Sequence, residues 1–498
     1  MKKYQLELII FFAGIITMAF ELAGSRILGP YFGASIFIWT SLIGIIMGSL
    51  SVGYWFGGQV SIRRSDLKIL SILLLFGAIF IFVTAFGHDY ILKRVVKYIP
   101  DFRLQVVISS AVLFGPASLF MGAVLPYAVK LKINTIESSG VAVGRLYALS
   151  TIGSITGTFL SGFVLLPLFG FLNIMYALTG ILLAFCLWIF FVDKTKVYLV
   201  VTLFSFVLLS SVWIKTYTKE VDYIDKDTQY NRIFVYNTTD KPTGRPVKML
   251  AVNNEHSSAM FLDGSGLVFE VLKYYHLVKY FNPGFKHSLM IGGSGYAFPK
   301  DYLERYPEAT MDVVEIDPEL TSIAYTYFDL PHDPRLRIFH EDGRTFINRE
   351  KNKYDAFFMD AYKSMITVPF QLTTKEAIQK IYDILNEDGV VLANLISTLS
   401  HKNNAFLRAE LATYKSVFPQ VYLFAVQYPN PTEKEKEHFQ NFMLVGLKTG
   451  VKPSLISDNE ELNEFLSHLV KINIEEDLPI LTDDFAPVEY YTSMALDK

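Results

Sequence analysis

This chain has almost no cysteine. Its one thiol, Cys186, lies inside an apolar stretch, which excludes a disulfide framework and a cysteine-based metal centre. Charge is scarce as well: 19% of the 498 residues are Asp, Glu, Lys or Arg, and the formal net charge is −3. With no dense basic run, a nucleic-acid surface is not expected. The nine histidines show no ligand spacing, so no metal site is expected. No low-complexity segment interrupts the chain.

What is abundant is apolar surface. Hydrophobic residues make up 51% of the chain and the mean hydropathy is +0.32, too apolar for a soluble protein of this length. The excess lies before about residue 216, in seven apolar stretches at 6–22, 36–56, 69–86, 106–128, 146–169, 174–191 and 197–214. Each is long enough to cross a bilayer. The first carries no small-residue cleavage site and is followed by further spans, so it reads as an anchor. The expectation is a multi-pass α-helical membrane domain over 1–215, a small β-region with a connecting helix over 216–285, and a Rossmann-like domain over 286–498. The lipid bilayer is then a partner and the cell membrane the location.

Basic residues are expected to fall on both sides of the spans. The amino end, with Lys2 and Lys3, is assigned to the side of Lys93, Arg94, Lys97 and Arg103, and the loops with Arg63 and Lys130 to the other. The positive-inside rule starts the chain in the cytoplasm, and seven crossings then put the soluble half outside. Nucleoside chemistry argues for a cytoplasmic soluble half, so the orientation stays open. Glu21 and Arg26 flank the end of the first span, where ionisable groups either serve function or snorkel to the interface. Gly48, Gly53, Gly57, Gly58, Gly153 and Gly157 mark close helix packing, and Pro126 is expected to kink the fourth span.

After residue 214 the composition turns charged and β-branched. Short strands are expected at 232–236 and 247–252, then at 288–291, 311–316, 336–339, 356–359 and 390–395, with helices between them, including 318–327 and 375–385. This alternation predicts a parallel, doubly wound sheet, whose ligands lie at the carboxyl ends of the strands. Those ends carry Gly292-Gly293-Ser294-Gly295, then Glu315 and Asp317, then Glu341-Asp342-Gly343, then Asp360-Ala361-Tyr362-Lys363, and finally Asn394. A glycine turn lets the backbone approach a nucleoside closely, and an acid about twenty residues later suits the ribose hydroxyls. Asp342 can accept from an adenine amino group, which leaves Asp360 near the reactive end of the ligand. Asp342 and Asp360 each have a second reading as helix or turn caps.

These residues, in this order, resemble the spermidine synthase (polyamine aminopropyltransferase) family, within the class I S-adenosylmethionine-dependent methyltransferase fold. The resemblance runs from about residue 228 to 395 and includes Tyr230-Asn231-Arg232-Ile233, Phe261-Leu262-Asp263-Gly264, Tyr275-His276, the strand-end motifs, and Pro369-Phe370-Gln371-Leu372. The membrane half is similar to the multi-pass domain fused to some members, through Glu21-Leu22-Ala23-Gly24-Ser25-Arg26 and Gly53-Tyr54-Trp55-Phe56-Gly57-Gly58; the stretch from Leu481 to Glu489 adds to the likeness. The resemblance implies aminopropyl transfer from decarboxylated S-adenosylmethionine to a diamine such as putrescine. Gly292, Gly293, Gly295, Glu315, Asp317, Asp342 and Gly343 would hold the nucleoside. Asp360 would take the proton of the attacking amine, and Asn231, Tyr275, His276, Tyr362 and Gln371 would contact substrate.

Departures from the family pattern fall on one side of the site. Gly295 stands where the family has an aspartate, Lys363 replaces the second acid after Asp360, and the acids around Tyr275-His276 read Val271, Leu272 and Leu277. Three functions are therefore expected as alternatives. They are an aminopropyltransferase using decarboxylated S-adenosylmethionine, an S-adenosylmethionine-dependent methyltransferase on a non-polyamine acceptor, and a non-catalytic nucleoside-sensing membrane transport protein. Whether the chain forms a homodimer is left open.

Overall fold

The computed structural model describes residues 4–494 apart from 34–35, 64, 134–138, 194–222, 254, 265, 362–367 and 473. The chain divides into two compact units, Met1–Gln229 and Tyr230–Lys498.

Among its described residues the first unit contains six helices long and apolar enough to cross a membrane: Gln5–Phe32, Ile36–Arg63, Leu67–Tyr98, Phe102–Lys132, Ser139–Leu168 and Phe171–Ile189. The expected seventh span, 197–214, lies outside the described residues. Asp66 and Asp101 start the third and fourth helices by accepting from the backbone N–H groups of Lys68 and Leu104. The fourth helix is assigned without a break through Pro116 and Pro126. The fifth passes through one π-helical turn, Ser161–Leu165. The unit closes with a short strand β1 (Tyr223–Asp227); Asp227 Oδ2 accepts from the Phe171 N–H that opens the sixth helix, at 3.0 Å.

Small residues decide which helices touch. A Cβ at Gly153 or Gly157 of the fifth helix would run into the backbone of Phe11 or Ile15 in the first. Gly53 and Gly57 of the second helix press in the same way on Leu119 and Ala123 of the fourth, and Gly122 presses back on Leu50. Gly48 and Gly58 face open space, so their expected packing role is corrected. Arg26 is not at a helix end either: the first helix continues to Phe32, and Arg26 donates to the Gln229 carbonyl.

The ends of the bundle are also reassigned, because two crossings return a chain to its starting side. Glu7 of the first helix meets Lys132 of the fourth at 2.9 Å, and the Tyr127 hydroxyl bonds to the Asp66 backbone between the second and third helices. The amino end, the Arg63 turn and Lys130 with Lys132 therefore share one end. Lys93, Arg94, Lys97 and Arg103 occupy the other.

The second unit begins with three antiparallel strands, β2 (Arg232–Thr239), β3 (Pro246–Val252) and β4 (Glu255–Phe261), paired in that order. The main sheet follows with β5 (His287–Ile291), β6 (Thr310–Val314), β7 (Leu336–Phe339), β8 (Tyr354–Met359), β9 (Leu385–Ser397), β10 (Gln420–Ala425) and β11 (Gln440–Leu447). Its order is β10-β11-β9-β8-β5-β6-β7. Strands β5 to β9 are parallel, as the alternation predicts, and β11, which sequence reading did not assign, runs antiparallel to both neighbours. Both faces of the central strands are covered, so β5 and β8 read as continuous apolar runs rather than alternating ones. The order reverses around β5. From there the chain winds one way through β6 and β7 and the other way through β8 and β9, leaving a crevice at the carboxyl ends of β5 and β8.

Candidate active site

The turn after β5 is forced by close approach. Gly292 has φ +93°, and a side chain there would strike the Asp360 carbonyl; the Asp360 N–H in turn donates to the Ile291 carbonyl at 2.9 Å. The glycine turn and the end of β8 are thus one knot of backbone. On the other side, a Cβ at Gly295 would lie 2.6 Å from Ser258 of β4, while Ser294 and Ser257 share a hydroxyl hydrogen bond of 2.7 Å.

Strand β6 stops at Val314, before the expected residue 316, because Glu315 turns its carboxylate onto backbone amides. Its Oε2 accepts from the Gly293 and Ser294 N–H groups and its Oε1 from that of Asp317, each at 2.9 Å. Burial pushes the Glu315 carboxyl above its ordinary range, and these amide bonds offset part of that rise. Asp317 is 1% exposed and is used on both oxygens: Oδ1 accepts from the Glu319 N–H to cap helix Pro318–Tyr327, and Oδ2 from Asn231 Nδ2 at 2.9 Å. Asn231 therefore reaches the site through Asp317.

After β7, Asp342 caps helix Gly343–Arg349, its Oδ1 accepting from the Thr345 N–H at 2.9 Å. This is the capping role weighed from sequence, and it holds the helix start beside β5: a Cβ at Gly343 would lie 2.6 Å from the Ile291 side chain. Gln371 contributes its carbonyl, which accepts from Arg344 Nη1 at 2.8 Å. Arg344 also pairs with Asp483, which Thr374 bonds at 2.6 Å, so the carboxyl-terminal stretch is tied to the helix after Asp342.

Asp360 follows β8. Asn394 Nδ2 donates to its Oδ1 at 2.9 Å, and Asn441 Nδ2 donates to Asn394 Oδ1 at 3.0 Å. Surrounding apolar atoms push the Asp360 carboxyl up to about 6, with the Asn394 bond opposing the rise. Tyr275 and His276 do not line the crevice as expected of substrate-binding residues. Tyr275 is 0% exposed and donates to the Met359 carbonyl beneath Asp360; His276 is 1% exposed between the Tyr306 hydroxyl and Asp301. Both belong to a helical run whose preceding residues, Val271 and Leu272, join the apolar core. Tyr362 lies outside the described residues. Sequence alone marks Asn394 only as a strand end and gives no hint of Asn441, because two amides on distant strands carry no spacing signal.

The arrangement sets one carboxylate after β6 and a second, with raised proton affinity, after β8, on either side of the glycine turn that follows β5. The family model for the spermine/spermidine synthase domain matches residues 270–441. The chain is 30% identical over 219 residues to a polyamine aminopropyltransferase of Vibrio vulnificus, covering 42% of this chain and 70% of that one. It is 23% identical over 479 residues to polyamine aminopropyltransferase 2 of Aquifex aeolicus, which covers 88% of this chain and 90% of that one. Among solved structures it is similar to a probable spermidine synthase from Corynebacterium glutamicum, at TM-score 0.39 and 23% identity, over 46% of this chain and 81% of that one.

Proposed function

The chain belongs to the spermine/spermidine synthase family and is a transferase, and from that premise we propose that it moves the aminopropyl group of decarboxylated S-adenosylmethionine to an amine acceptor such as putrescine, from a multi-pass membrane anchor. The observation that carries this reading is Asp360, a carboxylate of raised proton affinity fixed beside the glycine turn by Asn394 and by the Gly292 contact.

The chemistry assigns each group a task. An amine bound as its ammonium is no nucleophile, so Asp360 accepts one proton from it. The freed nitrogen lone pair attacks the propyl carbon bonded to sulfur, the carbon–sulfur bond breaks, and its electron pair returns to sulfur to release methylthioadenosine. A sulfonium leaves without acid help, so alignment supplies much of the acceleration. Glu315 faces the ribose. A carboxylate offers about four lone-pair positions, and three are taken here by backbone amides; the remaining one, on Oε1, suits a single ribose hydroxyl. Gly292, Gly293 and Gly295 let the backbone approach the nucleoside, and Asp342 with Gly343 flanks the adenine. The soluble unit is assigned to the cytoplasm on chemical grounds, because its nucleoside donor is a cytosolic metabolite.

The test is product release by the full chain in detergent. Methylthioadenosine formed from decarboxylated S-adenosylmethionine only when a diamine is added supports the reading. Adenosylhomocysteine formed from S-adenosylmethionine, with no reaction of the decarboxylated form, overturns it in favour of a methyltransferase.

A further inference from the structure

We propose that Asn394 is a positioning residue for Asp360, oriented by a chain of amides that starts at the surface with Gln427. This deepens the reading of Asp360 as proton acceptor and rests on it. Gln427 lies after β10, Asn441 on β11 and Asn394 on β9. In the register of β9 and β11, Asn394 faces Met443 and Asn441 faces Ile396, so the two asparagines are diagonal neighbours on one face of the sheet.

The hydrogen bonds fix which way each amide points. The Asn441 backbone N–H donates to Gln427 Oε1 at 2.8 Å, and Gln427 Nε2 donates to Asn441 Oδ1 at 3.2 Å. With its oxygen so engaged, Asn441 presents its NH2 to Asn394 Oδ1 at 3.0 Å, and Asn394 presents its own NH2 to Asp360 Oδ1 at 2.9 Å. Reversing Asn394 alone would set its oxygen against the carboxylate and its NH2 against that of Asn441. Every side-chain NH2 in the chain therefore points toward Asp360, and such chains polarise cooperatively toward a negative end.

Two consequences follow for the reaction. Oδ1 is held by Asn394, so Oδ2 is the oxygen left to meet the acceptor amine. The ionised form is also favoured, by a neutral donor, against the burial that opposes it. Among the described residues, no charged side chain shares this role; Tyr362 and Lys363, next in the chain, lie outside them.

The experiment compares the full-length wild type in detergent with Asn394→Ala, Asn441→Ala and Gln427→Ala. It reads kcat and kcat/KM for methylthioadenosine release against pH, together with the infrared carboxylate band of Asp360, assigned by subtracting Asp360→Asn. In Asn394→Ala the acid limb of kcat/KM and the Asp360 titration should both move up by about one pH unit. Turnover should fall about fivefold at the wild-type midpoint, about tenfold well below it, and recover to within a few-fold at high pH. Asn441→Ala and Gln427→Ala should move both readouts in the same direction by less, and they carry the test if Asn394→Ala does not fold. A limb and a band that stay in place in every folded variant overturn the proposal. A band that moves while the limb does not overturns the base role on which it rests, and leaves the amide–carboxylate pairing standing.

Discussion

Gly295 and Ser258 touch so closely that a Cβ on the glycine would meet the serine Cβ and Oγ at 2.6 Å. The family pattern has an aspartate at the position of Gly295, and in this chain the β3–β4 hairpin occupies the space that side chain would need. The missing acid is thus tied to a packing change rather than standing as an isolated exchange.

Gly295→Asp should therefore lower stability by about 1–3 kcal/mol through overpacking. Ser258→Gly added to it should restore part of the loss. Chemical denaturation of the two variants checks this, and a fully stable single variant would contradict the stated contact.

Asp360→Asn should abolish turnover while nucleoside binding changes little, as read by equilibrium binding of methylthioadenosine. The pH dependence has a definite sign. The carboxyl is raised from its ordinary 3.8 to about 6, so kcat/KM should climb with an acid limb near pH 6 as the base ionises. The folded state binds the proton more tightly than the unfolded one, so Asp360 costs stability as pH rises from about 4 through 6, and the cost is fully present above 6. The asparagine variant should be more stable than wild type by about 1–3 kcal/mol at pH 8 and no more stable at pH 4.

Glu315→Gln puts an NH2 where the carboxylate accepts from either Asp317 or the Gly293–Ser294 pair. Two donors then face each other in a buried place, at a cost of about 1–3 kcal/mol. Nucleoside affinity should fall at least about tenfold, since one hydrogen bond of this kind is worth that much. Calorimetric titration with methylthioadenosine measures it; unchanged affinity would remove Glu315 from the ribose contact.

Lys363→Asp bears on the acceptor. Lys363 follows Asp360 by three residues in the sequence, and a positive charge on the acceptor side would repel a diammonium substrate, so the change should lower KM for putrescine and raise its turnover several-fold, with nucleoside affinity unaltered. Equal activity of the two proteins would show that this lysine does not set acceptor choice.

In the helical unit, Gly153→Val should disrupt the approach of the fifth helix to the first, whose Phe11 backbone leaves no room for a side chain. Gly58→Val should be neutral, because nothing lies within 4 Å of that position. Detergent-solubilised folded yield distinguishes them.

Much of the nucleoside side is legible in the sequence, because its signals are local. Strand β5, the glycine turn and the acid after β6 lie within one stretch, and helix Pro318–Tyr327 begins and ends where its Asp-Pro start and amphipathic spacing put it. That Glu315 serves backbone amides is not legible, since a carboxylate at a strand end reads the same whatever accompanies it. Strands β10 and β11 escape sequence reading for a different reason. Their apolar runs are separated by a polar connection, and only pairing with β9 makes them part of the sheet. For Tyr275 and His276 a motif fixes residue type but not the direction of a side chain, and both are buried here. The bundle ends are legible by counting crossings, since two return the chain to its starting side, and the contact of Glu7 with Lys132 agrees.

The antiparallel edge also sets a timetable for synthesis. A chain emerging amino end first completes the glycine turn, Glu315, Asp342 and Asp360 while β9 is still to come. Asn441 arrives later, on the strand that must slot between β9 and β10, and Asp483 later still. A nascent chain at that stage can already shape a nucleoside cleft, yet its proton acceptor has no amide chain behind it and the helix after Asp342 has no carboxyl-terminal tether. On the reading proposed above, the support of Asp360 is therefore the last part of the site to mature, and a chain lacking its final strands would carry that carboxylate without the Asn441 amide behind Asn394.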